Sequence, residues 1–298
     1  MRHRLSSDDL TAVTDLLSTV GTVDGERPLS DHLWLDLVHG GRPGFAGILV
    51  HDGPALVAYA QLSQGNESRQ LEVVLDPERS GGLGDDGAKL LERAIAVVGD
   101  DGGGTVVWWV HGPSDEHERL AQSVGLRADR SLLQLRRPLP TGTPVDITTR
   151  PFEPGSDVDA VLAVNNRAFA GHAEQGGWDA ETLQRRQREP WFDPCGFLLH
   201  ERDGRVAGFC WTKLHEATEP PLGEIYVIAV DPDFHGLGLG KALTLAGLAS
   251  IADRGIGTGM LFVDADNVAA RSMYERLGFK VHRTDVAFVG EVGDARDR

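Results

Sequence analysis

The sequence predicts an α/β protein with two tandem domains, each a mixed central β-sheet flanked by helices. Two observations favour this fold class. The chain has 298 residues, a length typical of two domains. In addition, one pattern of strands, a glycine-rich turn and helices occurs twice along the chain, as expected for a duplicated domain.

The repeated pattern begins with an apolar, β-rich run that leads through Asp-Pro into a glycine-rich turn. Residues 71–84 and 225–240 both have this pattern. In each half the turn leads into a helical segment, another strand, a short helix ending in glycine, and a closing strand, at 132–135 and at 286–289. The run Tyr226–Val230 is apolar on both faces, which indicates a central strand covered by helices.

The spacing of matching glycines supports the duplication. Gly82 and Gly238 are 156 positions apart, and Gly125 and Gly278 are 153 positions apart. Between the halves, residues 137–144 contain three prolines and a glycine, the composition of a linker. The predicted boundaries are 1–136 for a degenerate N-terminal domain, 137–145 for the linker and 146–298 for the second domain.

Composition and charge argue against several kinds of partner. The net charge is −16, whereas nucleic acid and anionic membranes call for a basic surface. No apolar run is long enough to span a membrane, and the N-terminus lacks the apolar segment of a signal peptide. Cys195 and Cys210 do not have metal-site spacing. We therefore expect a cytoplasmic protein with no metal, nucleic-acid or membrane partner. We expect a monomer as well, but no feature of the sequence indicates the oligomeric state.

The run His235-Gly-Leu-Gly-Leu-Gly-Lys241 predicts an anion site at the start of a helix. Its three glycines let backbone N–H groups converge on an anion, and the helix N-terminus adds partial positive charge. Lys241 adds a full charge. Such a run is often simply a turn, and this one matches neither the P-loop nor the dinucleotide-binding fingerprint.

A second motif follows the turn, its helix and the next strand: Asn267-x-x-Ala270-x-x-x-Tyr274-x-x-x-Gly278-Phe279. The strand ending in Val-Asp-Pro, the turn and this motif together resemble the GNAT superfamily of N-acetyltransferases. The resemblance covers essentially the whole chain and is strongest from 146 to 290. It implies an acyltransferase that uses acetyl-CoA as acetyl donor. His235 departs from the family pattern, which has Gln or Arg at this position.

The resemblance also implies which residues contact acetyl-CoA in the second half: the strand before the turn, the turn itself and the start of the last helix. They are Ile228, Ala229, Val230, His235, Gly236, Leu237, Gly238, Leu239, Gly240, Lys241, Asn267, Val268, Ala269, Ala270, Arg271 and Ser272.

The first half keeps only part of this pattern. Its matching cofactor residues are Val73, Val74, Leu75, Gly82 and Gly84. Asp85 and Asp86 follow its turn, however, and acidic residues are unfavourable beside a pyrophosphate. Ala121 occupies the position of Tyr274, and no asparagine matches Asn267. We predict a degenerate domain that either still binds acetyl-CoA and shapes the substrate cleft or is purely structural.

The resemblance implies two catalytic residues, and their roles meet the chemical needs of acetyl transfer. The amine must be neutral to attack, the oxyanion needs a donor, and the departing thiolate benefits from a proton. By resemblance, Glu224 at the start of the strand before the turn is the general base, and Tyr274 is the general acid toward the sulfur. A solvated carboxylate and a buried structural tyrosine are the alternatives.

Substrate contacts rest on the resemblance as well. The tandem arrangement and motifs such as Trp211-Thr-Lys213 resemble a branch of the family that acetylates the cysteinyl α-amine of a cysteine–glucosamine–inositol conjugate, a small pseudo-disaccharide amine. The implied contacts are Asp36, Glu174, Lys213, Glu224 and Phe262. Phe262 replaces a tyrosine common in that branch, so a hydroxyl contact is lost. Another amine acceptor, such as an aminoglycoside or a protein N-terminus, and a non-catalytic acetyl-CoA-binding module remain the alternatives.

Overall fold

The computed structural model describes residues 3–24, 28–41, 43–65, 67–76, 78, 84–172 and 175–297. The chain divides into two compact units. Unit 1 comprises Met1–Leu132 and Arg283–Arg298, and unit 2 comprises Leu133–His282. No helix in the described ranges has the length and hydropathy needed to cross a membrane.

The secondary structure follows the order that the sequence predicts. Within the described residues the elements are α1 (Ser7–Asp24), α2 (Asp31–Val38), β1 (Ala46–Asp52), β2 (Ala55–Gln64), β3 (Arg69–Leu75), α3 (Gly84–Asp100), β4 (Gly104–His111), α4 (Asp115–Ser123), β5 (Arg127–Pro138), β6 (Arg150–Pro151), α5 (Val158–Ala168), α6 (Ala180–Gln187), β7 (Phe197–Arg202), β8 (Arg205–His215), β9 (Leu222–Val230), α7 (Leu239–Asp253), β10 (Thr258–Asp264), α8 (Val268–Arg276) and β11 (Lys280–Val292).

The sheet of unit 1 has the order β1-β2-β3-β4-β11. Strands β1 to β3 are antiparallel, β3 and β4 are parallel, and β11 is antiparallel to β4. The apolar stripe of α3, which includes Leu90, Leu91 and Ala94, packs with one face of this sheet. Helices α1 and α2 pack with Tyr59 and Val74 in a second cluster. The unit therefore contains a mixed sheet with helices on two sides.

The sheet of unit 2 has the order β5-β10-β9-β8-β7-β6. One apolar cluster joins Ile225 of β9 to Leu243 and Leu248 of α7. A second cluster contains Val227 of β9, Val161 of α5 and residues of β7 and β8. Strand β9 is thus central and covered by helices, as its two apolar faces predict. The predicted α/β class, with a mixed sheet flanked by helices, is confirmed.

The closing strands do not lie where the repeat suggests. Strand β11, expected to close the second half, pairs with β4 from Asp285–His111 to Val292–Gly104, so residues 283–298 belong to unit 1. Strand β5 neighbours β10 in unit 2 from Leu133 onward, and it includes Pro138 of the predicted linker. The compact units therefore differ from the boundaries 1–136, 137–145 and 146–298. Alternation of apolar residues indicates a strand, but it does not choose the sheet edge that receives it.

A buried charge cluster fixes β11 to β4 inside unit 1. Asp285 is 1% exposed, and its carboxylate accepts hydrogen bonds from His111 Nδ1 at 3.0 Å and Arg283 Nε at 2.7 Å. Burial opposes ionisation of Asp285, but hydrogen bonds from His111 and Arg283 outweigh it and lower its pKa. Burial likewise opposes the His111 cation, yet the hydrogen bond to Asp285 and the charges of Glu72 and Asp285 raise the His111 pKa.

Asp285→Asn is expected to lower the free energy of unfolding by about 1–3 kcal/mol, because it leaves buried donors poorly paired. The lowered Asp285 pKa gives stability that is lost as pH falls through the folded-state value, below about 3.9. The raised His111 pKa gives stability that is lost as pH rises above about 6.5. Denaturant unfolding should therefore show the largest difference from the unsubstituted protein between these limits. A difference that is equal at all pH values would contradict the assignment.

Candidate active site

The centre of the site is a gap between β9 and β10. Their parallel pairing covers only three positions, from Gly259–Gly223 to Leu261–Ile225, although β9 continues to Val230 and β10 to Asp264. Beyond Ile225 the backbone of β9 is paired on the β8 side. Alternate N–H and C=O groups of Ile228, Ala229 and Val230 are therefore available on the other side of β9. A ligand with an extended amide chain can bind in this gap as an added strand does.

The glycine-rich turn lies at the end of β9 and begins α7. Gly236 and Gly238 have φ values of +78° and +75°, and a Cβ at either position would meet no atom within 4 Å. Gly238 is the N-cap of α7 and offers no capping side chain, and the first turn of the helix contains no acidic residue. Leu239 and Gly240 follow, with Lys241 exposed beside them. This open, uncapped and positive helix end fits an anion such as a pyrophosphate.

His235 and Leu237 flank these glycines. The His235 ring is hydrogen-bonded through Nε2 to the carbonyl of Val230 at 3.1 Å. Its side chain therefore ties the turn back to the end of β9, which is one use for a histidine where the family has Gln or Arg. Leu237 is 50% exposed, unusually high for a large apolar side chain in the described chain.

Helix α8 passes close to the start of α7 through its sixth residue, Met273. Met273 Sδ would be 3.9 Å from a Cβ placed on Gly240. Asn267 is the N-cap of α8, and its side-chain oxygen accepts a hydrogen bond from the Ala270 N–H at 3.1 Å. Val268 is 68% exposed at the first position, and Ala269, Arg271 and Ser272 complete the first turns. Asn267 thus has a structural role as a helix cap in addition to any cofactor contact.

Tyr274 lies on the buried side of α8. It is 6% exposed and packs edge-on against Phe279, with ring centroids 5.7 Å apart. Burial, with a smaller contribution from neighbouring Cys210, raises the pKa of the Tyr274 hydroxyl above its ordinary value. The phenol therefore stays protonated at neutral pH and can act as a proton donor.

Glu224 is buried near the start of β9. It is 7% exposed and lies directly opposite Lys213 of β8. Its Oε2 atom is 2.7 Å from Nε2 of His215. Glu224 also pairs with Met260, one position before the pairing of β9 with β10 ends. Glu224 is thus a buried carboxylate beside the gap. It is not the solvated carboxylate that the sequence left open as an alternative.

Lys213 lies among aromatic rings. Its Nζ atom is 4.7 Å from the ring centroid of Trp191 and 5.1 Å from that of Tyr226. Arg186 of α6 stacks 4.2 Å above the Trp178 ring, and its Nε donates to the Tyr226 hydroxyl at 3.1 Å. Lys213 is 8% exposed, so it is a buried cation stabilised partly by cation–π contacts.

Sequence reasoning did not select the aromatic and arginine residues or His215 as site residues. Lys213 and His215 are two positions apart on β8, a spacing that places both side chains on one face of a strand. That spacing was available in the sequence. The contacts of Trp191 and Arg186 depend on tertiary packing, so the sequence held no comparable signal for them.

A surface cavity of about 520 Å³ lies in unit 2. Among its lining residues are Trp191, Phe192, Thr212, Glu216 and Arg254. The cavity borders Trp191, which also contacts Lys213. Its β8 residues Thr212 and Leu214, however, alternate with Lys213 and lie on the other face of the strand.

The remaining predicted substrate contacts are distributed over the chain. Phe262 lies on β10 one position beyond the last β9–β10 pair. The hydroxyl that a tyrosine would carry at this position is therefore absent beside the gap. Asp36 is 2% exposed in α2 of unit 1, where its carbonyl accepts from the Gly41 N–H at 2.7 Å. Glu174 lies outside the described residues. The substrate roles of these residues stay predictions.

Unit 1 repeats part of the geometry. Pairing of β3 with β4 also covers three positions, from Arg69–Val106 to Leu71–Trp108, while β3 continues through Val73 and Val74 to Leu75. Gly84 has φ +47° at the start of α3, whose first turn contains Asp85 and Asp86; Gly82 lies outside the described residues. The gap is present, but the helix start carries negative charge, which disfavours an anion there.

The ends of α4 and α8 show which residue of unit 1 corresponds to Tyr274. The Leu126 N–H donates to the Ala121 carbonyl at 2.8 Å, as the Phe279 N–H donates to the Tyr274 carbonyl at 3.1 Å. Each helix is followed by a glycine with positive φ, Gly125 at +82° and Gly278 at +87°. Ala121 therefore occupies the structural position of Tyr274, and unit 1 has no tyrosine there.

Comparison with known proteins agrees with this geometry. The Acetyltransferase (GNAT) family matches residues 164–279. A mycothiol acetyltransferase from Thermobispora bispora is 44% identical, over 96% of this chain and 97% of that protein. Another, from Acidothermus cellulolyticus, is 41% identical over 96% of this chain and 92% of that protein.

A solved structure shares the fold at lower identity. A tandem GNAT protein from the clavulanic acid biosynthesis pathway superimposes with a TM-score of 0.64 at 18% identity, covering 97% of this chain and 98% of that one. The relatives from Thermobispora bispora and Acidothermus cellulolyticus confirm the expected resemblance to acetyltransferases over 96% of this chain. The chain is an N-acetyltransferase and belongs to the mycothiol acetyltransferase family of GNAT proteins.

Proposed function

We propose that this enzyme transfers the acetyl group of acetyl-CoA to the cysteinyl α-amine of cysteinyl-glucosaminyl-inositol, giving mycothiol and CoA. The observation that carries the proposal is the buried Glu224 carboxylate opposite Lys213, one position before the gap between β9 and β10 opens. The names of relatives at 41–44% identity support this acceptor.

Acetyl-CoA, when bound, supplies an acyl group activated as a thioester. The turn Gly236–Lys241 and the start of α8 at Asn267–Ser272 would hold its pyrophosphate through backbone N–H groups and the Lys241 ammonium. Backbone N–H groups from Ile228 to Val230 would hydrogen-bond the amide chain and the thioester carbonyl oxygen. Unit 1 keeps the gap at Val73–Leu75 without a favourable helix start, so we propose that it serves structure rather than chemistry.

The side chains of unit 2 would then move two protons. Glu224 accepts a proton from the cysteinyl ammonium, directly or through one water, which frees the nitrogen lone pair for attack. Tyr274 donates a proton toward the sulfur of the departing CoA. Lys213, held by Trp191 and Tyr226, hydrogen-bonds the acceptor.

The test is turnover with defined acceptors. Purified protein, acetyl-CoA and cysteinyl-glucosaminyl-inositol are mixed, and release of CoA thiol is followed with a chromogenic disulfide after correction for the cysteine thiol. We expect saturable turnover that exceeds that with aminoglycosides or N-terminal peptides. Turnover only with those other amines would overturn the acceptor assignment. Binding of acetyl-CoA with no turnover on any amine would overturn the enzymatic proposal.

Lys241→Glu is expected to raise the KM for acetyl-CoA by about 10-fold with little change in kcat at saturation. The reason is that a carboxylate at the first turn of α7 repels the pyrophosphate and opposes the helix dipole. Steady-state kinetics with varied acetyl-CoA measures both constants. Lys280→Glu, the same charge reversal at the start of β11, is the matched control and should leave the KM unchanged. An unchanged KM in Lys241→Glu would remove the pyrophosphate from this helix end.

A further inference from the structure

His215 makes a short contact with the proposed general base. Its Nε2 atom lies 2.7 Å from Oε2 of Glu224. The side chains are 20% and 9% exposed, respectively, so the contact is largely shielded from water. The family resemblance assigns no role to this histidine.

The contact follows from the pairing of β8 with β9. Lys213 is directly opposite Glu224, and His215 is two positions farther along β8 on the same face. His215 and Glu224 are therefore diagonal cross-strand neighbours, which long side chains can bridge. The turn after β8 holds the histidine backbone, because the buried Thr218 hydroxyl donates to the His215 carbonyl at 2.8 Å.

The proposed role of Glu224 sets the direction of this hydrogen bond. A general base is ionised and its carboxylate only accepts hydrogen bonds, so in this role Nε2 of His215 carries the hydrogen and donates it to Oε2. The other oxygen, Oε1, remains for the ammonium group of the acceptor or for a bridging water. A donor on one oxygen restricts rotation of the carboxylate and aims the other.

Topology separates the roles of the two side chains. Glu224 is on β9, the strand that borders the gap, whereas His215 is on β8, one strand farther from it. The Nε2 atom of His215 is occupied by Glu224. His215 is thus placed to act on the base and not on the reacting amine.

We propose that His215 is a positioning residue for acetyl transfer, which donates from Nε2 to Glu224 and orients that carboxylate toward the amine. This inference rests on the proposed role of Glu224 as general base. His215 does not itself take the proton of the acceptor. A hydrogen-bond donor at this position is required, and an imidazole is not.

The inference is tested with His215→Ala and His215→Gln, measured for kcat and for both KM values. Loss of an orienting partner is expected to lower kcat by about 10-fold in His215→Ala, with the KM for acetyl-CoA unchanged. The amide nitrogen of glutamine lies near the Nε2 position of histidine, so His215→Gln should retain kcat within about threefold. His200→Ala, which removes a half-exposed histidine on β7 bonded to the Thr148 carbonyl, is the matched control and should keep wild-type kcat.

A double-substitution cycle separates positioning from a structural effect. If His215 acts through Glu224, His215→Ala should lower kcat by less than about twofold in a Glu224→Gln background. The same tenfold loss in both backgrounds would overturn the inference. So would a His215→Gln variant as impaired as Glu224→Gln, because His215 would then be the base. A wild-type pH profile for Glu224→Gln would instead overturn the proposed base role of Glu224, whatever His215→Ala does.

Discussion

Glu224→Gln is expected to lower kcat by about 100-fold or more at pH values below the pKa of the acceptor amine. A cysteinyl α-amine has a pKa of about 7.7–8.0, so at neutral pH most of the bound acceptor arrives as unreactive ammonium. The Glu224 carboxylate can remove that proton, whereas the amide of glutamine cannot. The substitution keeps the size of the side chain at this buried position.

The pH dependence of kcat at saturating acceptor is the decisive measurement. In the variant, kcat should follow the fraction of free amine and so rise about tenfold per pH unit until the amine pKa is reached. The unsubstituted enzyme should show a much shallower rise over the same range. Glu219→Gln, an exposed glutamate in the turn between β8 and β9, is the matched control and should keep the unsubstituted profile. Parallel profiles for Glu224→Gln and the unsubstituted enzyme would show that Glu224 is not the base.

Local sequence patterns were sufficient to place Glu224 and the glycine turn. A strand, an Asp-Pro and closely spaced glycines before a helix determine one short segment, and each step depends on neighbouring residues only. The structure accordingly places Glu224 on β9 and Gly238 at the start of α7. The Gly125 and Gly278 alignment likewise identified Ala121 as the counterpart of Tyr274, because both glycines end a helix in the same way.

Register was the part that local patterns could not supply. A bulge shifts the β8–β9 pairing between Trp211–Val227 and Thr212–Ile225, which leaves Tyr226 as an extra residue. Simple alternation would put Ile225 and Ile228 on opposite faces of β9, yet both pack in the cluster that contains α7. The bulge reverses the alternation and adds Tyr226 to the side where Lys213 lies. The contact of His215 with Glu224 depends on the register of the same strand pair, so it became visible only in the fold.

Strand exchange escaped prediction for a related reason. The alternating pattern of β11 is compatible with pairing at the edge of either sheet. Its pairing with β4 is stabilised by the contacts of Asp285 with His111 and Arg283. Those residues are 174 positions apart in the first pair, which no local pattern connects. The repeat in the sequence thus predicted the strands and helices in the correct order. The sheet that each closing strand joins depends on tertiary contacts.

Tyr274→Phe is expected to lower kcat by about 100-fold while leaving the KM for acetyl-CoA unchanged. The phenol would donate to the sulfur of CoA as the carbon–sulfur bond breaks, and phenylalanine keeps the ring but loses the donor. No described residue forms a hydrogen bond with the Tyr274 hydroxyl, so its removal should cost little folding stability. Because burial raises the pKa of Tyr274, the phenol is protonated throughout the neutral range, and the loss should be nearly independent of pH there.

Acetyl thioesters whose leaving thiols differ in acidity would show whether Tyr274 is a proton donor or a packing residue. An acetyl thioester of a thiol more acidic than CoA expels a more stable thiolate, so its transfer should depend less on Tyr274, and the variant should recover most of its rate with that donor. Tyr59→Phe is the matched control. It removes a buried hydroxyl that donates to Gln61 at 2.8 Å in unit 1, which should lower stability by about 1 kcal/mol and leave kcat intact. If Tyr274→Phe instead loses acetyl-CoA binding, or is equally slow with every thioester, the hydroxyl serves structure and the thiolate leaves without its proton.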